Sequence, residues 1–218
     1  MAQGMSKKPV LLEIYQKMFD ALGPQRWWPG ETPFEIIIGA ILTQNTNWSN
    51  VEKAIKNLKK AGTLSPEGIH KLGVTELAEL IRPSGFFNVK AKRVKAFIEW
   101  LFSNHEGKLA KMFAYDLHTL RDELLAVKGI GPETADSILL YAGNFPTFVV
   151  DAYTYRILSR HRFIPEESSY DEMKSFFEEN LPKDVQLFNE YHALLVNIGK
   201  MFCKPKKVCE QCPLKDFL

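Results

Sequence analysis

Residues 124–155 read LLAVKGIGPETADSILLYAGNFPTFVVDAYTY, and this stretch decides the fold. Apolar residues at helical spacing lie on both sides of the turn GIGP, residues 129–132. Its two glycines permit dihedrals and a close backbone approach that a side chain would block. Pro132 suits the first turn of the second helix, where its missing N–H donor costs nothing. The free N–H groups at that helix start, with the positive end of its dipole, predict an anion site that needs no charged side chain.

Asp151 follows the apolar residues 148–150 and lies 20 residues after Gly131. It is predicted to open the next helix, where an aspartate commonly accepts backbone N–H bonds as a cap. Capping and a chemical role are compatible, because the same hydrogen bonds favour the ionised carboxylate. We therefore expect a carboxylate tethered near the backbone anion site.

Helical periodicity dominates the rest of the chain, and strand signals are nearly absent. Proline and glycine separate the periodic segments, which indicates an all-α protein of about ten helices with short connections. The predicted helical segments are residues 11–22, 34–42, 51–58, 77–81, 89–101, 117–125, 134–141, 153–158, 173–177 and 185–201.

The composition is that of an ordered globular protein, with 45% hydrophobic and 12% aromatic residues among 218. The net charge of +2 does not by itself indicate a nucleic-acid binder, so any DNA affinity must come from local charge asymmetry. No apolar run approaches the roughly 18 residues of a membrane span. The first ten residues contain no apolar signal core, and we expect a cytoplasmic protein without a membrane partner.

The pattern VKGIGPETADSILLYAG followed by VVDAYTYRI resembles the helix-hairpin-helix DNA glycosylases of the endonuclease III superfamily. The resemblance covers residues 11–218 and implies a two-lobed, all-α fold. It implies one lobe over residues 29–161 with the hairpin at 124–143. The second lobe would comprise residues 1–28 and 162–218, with a cysteine-containing loop at 203–218.

The same resemblance implies how double-stranded DNA is bound. In the superfamily the hairpin holds a DNA phosphate, often with a monovalent cation on its carbonyls, which points here to Gly129, Gly131, Glu133 and Thr134. Asp151 would be essential for excising a damaged base that is flipped out of the duplex. The superfamily also suggests a monomer.

Tryptophans flank the apolar helix PFEIIIGAILTQNT. Core or interface packing is the usual fate of such a residue. However, WWP, FE and GAILTQNT resemble the 3-methyladenine glycosylase III branch, which stacks an alkylated base between aromatic rings. By position Trp28 and Trp48 match its stacking residues, with Trp27 as a weaker third. A cationic base over an indole would gain cation–π attraction.

Two further segments resemble the superfamily's DNA-contacting parts. Gln44 matches a glutamine that fills the gap left by the flipped nucleotide, although an exposed polar residue at a helix end is the simpler interpretation. The loop with Gly85 and Phe86 resembles a second intercalating loop. The basic run that follows contains Lys90 and Lys92, which we expect to contact phosphates and to add affinity rather than sequence choice.

Glu133 departs from the superfamily members that also cleave the strand. Those enzymes place a lysine at this position, whose amine attacks the sugar and forms a Schiff base. A carboxylate cannot form that imine, and the glycosylase III branch also has a glutamate here. We therefore expect base removal by water, with Asp151 stabilising the oxocarbenium-like sugar and orienting the water.

All three cysteines, Cys203, Cys209 and Cys212, lie in the last 16 residues, which favours metal chemistry over disulfides. They resemble the superfamily's [4Fe–4S] loop, but the fourth position falls on Leu218. Asp216, water or the terminal carboxylate could complete the set. A zinc site with an outside ligand and free thiols are the alternatives.

Two other functions are compatible with parts of the sequence. An endonuclease III-like glycosylase and lyase acting on oxidised pyrimidines would share the hairpin and Asp151, but Glu133 argues against it. A non-catalytic helix-hairpin-helix DNA-binding module would need only the hairpin, but Asp151 and the tryptophans argue against that.

Overall fold

A computed structural model describes residues 8–204, 206 and 208–217. These residues form helices and no strand, so the predicted all-α fold is confirmed. No helix in this part of the chain is long and apolar enough to cross a membrane. The α-helices are α1 (Lys8–Leu22), α2 (Pro33–Leu42), α3 (Trp48–Lys60), α4 (Pro66–Lys71), α5 (Val74–Leu80), α6 (Phe87–His105), α7 (Leu109–Met112), α8 (Leu117–Ala126), α9 (Pro132–Ser137), α10 (Ala152–Arg160), α11 (Tyr170–Glu178) and α12 (Val185–Met201).

Ten of these helices overlap the ten predicted segments, and the sequence missed α4 and α7. Both are short, with 6 and 4 residues, so neither spans enough turns to show an apolar period. The start of α4 does carry a local signal. The Ser65 hydroxyl accepts a hydrogen bond from the Gly68 N–H at 2.9 Å, and Pro66 occupies the first turn.

The residues from Pro29 to Phe145 form one compact unit. Its core is built on α2, where Ile37, Ile38 and Ile41 are fully buried. A π-helical turn, Ile138–Ala142, continues α9 and packs against α2. The second helix of the hairpin is therefore fixed to the centre of this unit.

The second compact unit contains the described residues up to Trp28 and those from Pro146 onward. An aromatic cluster forms its core: the Phe148 ring stacks on Phe177 with centroids 3.9 Å apart and meets Phe188 and Tyr191 edge-on. The Tyr191 hydroxyl donates to the Leu11 carbonyl at 3.0 Å, which ties α12 to α1.

The carboxy-terminal boundary between the units differs from the expected lobe boundary at residue 161. Residues 146–161 belong with the chain ends, because α10 packs against α12. As a result Asp151, which precedes α10, is held by the second unit, whereas the hairpin belongs to the first.

Phe148 supplies a test of the aromatic core. Phe148→Ala should lower the free energy of unfolding by about 3–5 kcal/mol, because it removes a fully buried ring from a close-packed cluster. Phe86→Ala is the matched control: its side chain is 71% exposed, and the change should stay within about 0.5 kcal/mol. Chemical denaturation measures both, and equal losses would contradict the assigned core.

Candidate active site

The hairpin turn needs glycine at its first position. Gly129 has a φ of +93°, and a Cβ built there would overlap the side chain of Arg93. The Ile130 N–H donates to the Val127 carbonyl at 3.0 Å, which closes the turn. A Cβ on Gly131 would meet no heavy atom within 4 Å, so the hairpin backbone is open to close approach at that point.

A hydrogen-bond network joins this turn to two other segments of the same unit. The Gln44 amide donates to the Gly129 carbonyl at 3.1 Å and to the Thr134 hydroxyl at 2.9 Å. The Arg93 guanidinium donates to the side-chain oxygen of Gln44. The structure thus brings together Gln44, Gly129 and Thr134, which were predicted separately as DNA-contacting residues, and it adds Arg93, which no sequence pattern distinguished from its basic neighbours.

The loop before α6 presents one large apolar side chain to solvent. Gly85 and Phe86 have φ values of +69° and +47°, and Phe86 is 71% exposed. A positive φ is costly for a phenylalanine and persists only when its surroundings impose it. The position of Phe86 agrees with the predicted wedge loop, whose role stays a prediction.

Lys90 is buried, and its predicted phosphate contact needs correction. Its ammonium donates to the Ser84 carbonyl at 2.6 Å, so it holds the loop beneath Phe86 rather than facing solvent. Burial, with a smaller contribution from Arg93, lowers the pKa of Lys90 to about 8. A run of basic residues usually marks a solvated helix face, and Lys92 is exposed as that pattern indicates.

Asp151 caps α10, as predicted. Its Oδ1 accepts hydrogen bonds from the Thr154 backbone N–H at 2.7 Å and from the Thr154 hydroxyl at 3.0 Å. Its Oδ2 lies 3.7 Å from Nε2 of the buried His192 on α12. The carboxylate is therefore fixed in position by one oxygen, while the other faces a titratable ring.

The three tryptophans proposed for the base pocket are all half-buried. In the first unit the Trp48 indole N–H donates to the Glu52 carboxylate at 2.9 Å. In the second unit Trp27 and Trp28 meet edge-to-face with centroids 5.5 Å apart. The Lys200 ammonium lies 5.7 Å from the centroid of Trp27, so a cation already occupies one face of that ring.

Residues 38–183 match the HhH-GPD superfamily of base excision DNA repair proteins, which is two thirds of the chain. The chain belongs to this superfamily. The chain is therefore a DNA glycosylase, and the hairpin, the aspartate that caps α10 and the all-α architecture are features of that enzyme.

Individual relatives agree with the assignment. A provisionally assigned DNA repair glycosylase of Methanocaldococcus jannaschii is 49% identical over 97% of both chains. The crystal structure of the 3-methyladenine DNA glycosylase of H. pylori bound to 1,N6-ethenoadenine is 30% identical, with a TM-score of 0.77, over 90% of this chain and 98% of that one. A trapped endonuclease III–DNA covalent intermediate, at 23% identity, has a TM-score of 0.83 over 98% of this chain and 96% of that one, which supports the fold alone.

Glu133, the residue from which the sequence predicts base removal by water, directly follows the hairpin turn. Pro132 and Glu133 form the exposed first turn of α9, directly after the hairpin. Lys128 is also exposed and precedes the turn.

The three cysteines of the glycosylase line one pocket of about 380 Å³, which includes some open solvent space. Ile157, Ile198 and Phe202 form its apolar wall, and Arg160 donates to the Cys203 sulfur at 3.2 Å. Burial raises the pKa of the Cys212 thiol. Among the described residues, no three His, Cys, Asp or Glu side chains converge closely enough to hold a single metal ion.

The fourth position of that site also differs from expectation. Asp216 is not part of the pocket lining, and its carboxylate lies 4.0 Å from the Lys17 ammonium. Leu218, whose terminal carboxylate was the other protein candidate, lies outside the described residues. His161 does line the pocket, and sequence reasoning missed it.

Sequence reasoning also missed Thr154 and His192. Thr154 follows Asp151 by three residues, so its backbone N–H is where a cap would bond, and this signal was present in the chain. His192 is a single histidine on an apolar helix, and the sequence around it does not indicate which residue it will contact in the fold.

Gly129 allows a test of the network around Gln44. Gly129→Ala should weaken binding of duplex DNA by about tenfold, which corresponds to roughly 1.4 kcal/mol, because the new methyl group displaces Arg93 and a positive φ disfavours alanine. Gly73→Ala is the control, since its Cβ meets nothing within 4 Å and its φ is −67°. Fluorescence anisotropy measures both affinities, and equal affinities would contradict a contribution of the hairpin turn to DNA binding.

The buried Lys90 makes stability depend on pH in a defined window. The unfolded chain keeps this proton up to about pH 10.4, whereas the folded chain releases it near pH 8, so the penalty of the buried charge is relieved as pH rises between these values. Relative to Lys90→Met, the wild type should gain on the order of 3 kcal/mol across the window. Denaturation curves at pH 7 to 10 measure this gain. Lys92→Met controls for net charge, and a constant difference between wild type and Lys90→Met would refute the buried ammonium.

Proposed function

We propose that this glycosylase hydrolyses the N-glycosidic bond of alkylated purines such as 3-methyladenine in duplex DNA, and that it does so without strand cleavage. The choice of alkylated purines rests on the half-buried tryptophans, together with the 30% identity of this chain to a 3-methyladenine glycosylase bound to 1,N6-ethenoadenine. Trp28 and Trp48 would each supply an indole face to the extruded base.

The surroundings of the indoles favour a base that carries positive charge. Trp48 donates its N–H to the Glu52 carboxylate, and this charge-assisted bond increases the electron density of the ring. An N-alkylated purine is electron-poor, so it gains cation–π attraction over such a ring. Trp27 is assigned a supporting role, because Lys200 already lies over its face.

The chemistry follows from the leaving group. N-alkylation makes a purine a good leaving group, so general-acid help is scarcely needed, and bond breaking leaves positive charge on the sugar. Asp151 would stabilise that charge and direct the attacking water, with Thr154 fixing its orientation. Glu133 supplies no amine, and the abasic strand would be left intact.

We also propose a [4Fe–4S] cluster in the pocket of Cys203, Cys209 and Cys212. Cysteine thiolates are the usual ligands of such a cluster, and the three cysteines of this loop line one cavity. The group would hold the cysteine-containing loop together and takes no part in base removal. Anaerobically purified protein should carry about four irons per chain and a broad brown absorbance; colourless protein with fewer than one iron would contradict the cluster.

The substrate proposal is tested by release of free base. Duplexes carry 3-methyladenine, 7-methylguanine, 1,N6-ethenoadenine, an oxidised pyrimidine, or uracil opposite guanine. We expect release of the alkylated purines and intact strands. Release of the oxidised pyrimidine alone, or of uracil alone, would contradict the proposal that the tryptophans stack on an alkylated purine. DNA binding without any release would support the non-catalytic module.

Asp151→Asn tests the assigned carboxylate. The neutral amide should lower the single-turnover rate by at least about a thousandfold, because it removes the charge opposite the developing cation. Its DNA affinity should stay within about threefold of wild type, since the amide oxygen can still cap α10. Asp116→Asn, another capping carboxylate, is the control and should keep the wild-type rate. Weak DNA binding with a normal rate in Asp151→Asn would contradict the role.

A further inference from the structure

His192 is buried beside the carboxylate on which the proposed reaction depends. It lies on α12 with 4% of its surface exposed, and its Nε2 is 3.7 Å from Oδ2 of Asp151. That separation is too long for a hydrogen bond, but it lies within the range of an ion pair. The packing of α10 against α12 sets this separation.

The two oxygens of Asp151 have different surroundings. Oδ1 accepts both hydrogen bonds from Thr154 and anchors the side chain to α10. Oδ2 faces His192, so the charge state of the ring acts mainly on this oxygen. Whether Oδ2 can interact with a sugar cation therefore depends on whether His192 already pairs with it.

Opposing charges act on the ring. Burial lowers the pKa of His192, Asp151 raises it, and Lys200 near the end of α12 lowers it further, with a net shift below the ordinary value of about 6.5. Asp151 and Lys200 thus shift the pKa of this ring in opposite directions. The imidazole is thus uncharged at neutral pH.

We propose that His192 is a positioning residue that controls the availability of Asp151: the uncharged ring packs against the carboxylate without neutralising it, and the protonated ring pairs with Oδ2 and withdraws it from the reaction. The proposal rests on the proposed function of Asp151. It assigns His192 no contact with DNA and no proton transfer to substrate.

We therefore expect the rate of base removal to fall at low pH, and we expect protonation of His192 to cause that fall. Protonation of the ring favours the ion pair, so the rate should fall as the pH drops through the lowered pKa of His192, with a midpoint below about 6.5. Below this midpoint the rate should fall by about tenfold per pH unit, because one proton inactivates the enzyme.

The experiment is a single-turnover pH profile, from pH 4.5 to 8, on the alkylated purine released fastest, with enzyme-free DNA as the blank. His192→Gln keeps a polar side chain but cannot take up a proton, so its acid limb should move at least about one pH unit lower. His105→Gln is the matched control, because His105 is equally buried and lies 3.3 Å from a different carboxylate, that of Glu123. Its profile should match the wild type.

An unchanged acid limb in His192→Gln, or a loss of rate by one factor at every pH, would overturn the proposal. If His192→Gln does not fold, the His192 ring is titrated by NMR in the wild type and in Asp151→Asn. Its pKa should match the kinetic midpoint and should fall in Asp151→Asn, since the carboxylate is the group that raises it. Equal pKa values would overturn it as well. A normal rate in Asp151→Asn would instead refute the proposed function of Asp151.

Discussion

The hydrogen bonds between Asp151 and Thr154 are the constraint on which the account of this glycosylase depends. They begin α10 and hold the carboxylate at one end of a packed helix, so a structural cap and the proposed reactive group are the same side chain. One oxygen is committed to the backbone, and chemistry is left to the other. Because α10 packs against α12, the environment of that second oxygen is set by His192 on α12.

In the other unit, the residues proposed to contact DNA also share one set of hydrogen bonds. One hydrogen-bond network contains Gln44, Arg93 and the hairpin carbonyl of Gly129. The predicted wedge residue is therefore hydrogen-bonded to the predicted phosphate site. A wedge role for Gln44 requires these bonds to break when DNA binds. The predicted monovalent cation would compete for carbonyls of this same turn, one of which Gln44 already uses.

The sequence was sufficient to predict a structural feature where a residue type has one characteristic role in local backbone structure. Glycine at a positive φ, proline in a first helical turn and aspartate before a helix are local devices, and they placed the hairpin and Asp151 correctly. The sequence was insufficient to predict which side chains are buried by residues that are distant along the chain. Lys90 resembled its exposed neighbour Lys92, and His192 resembled any core histidine, because neither pattern records which carbonyl or carboxylate the fold brings beside it. The unit boundary differed for the same reason, since only packing on α12 assigns α10 to the second unit.

We propose that base removal proceeds by water under the control of Asp151, with no amine attack on the sugar. It is tested most directly by incubating the enzyme with a duplex that carries one 3-methyladenine in the presence of sodium borohydride. We expect free base and no protein–DNA adduct on a denaturing gel, and in a parallel reaction without borohydride a strand that breaks only after hot alkali. An efficient covalent adduct would contradict it, because borohydride traps only the imine that an attacking amine forms.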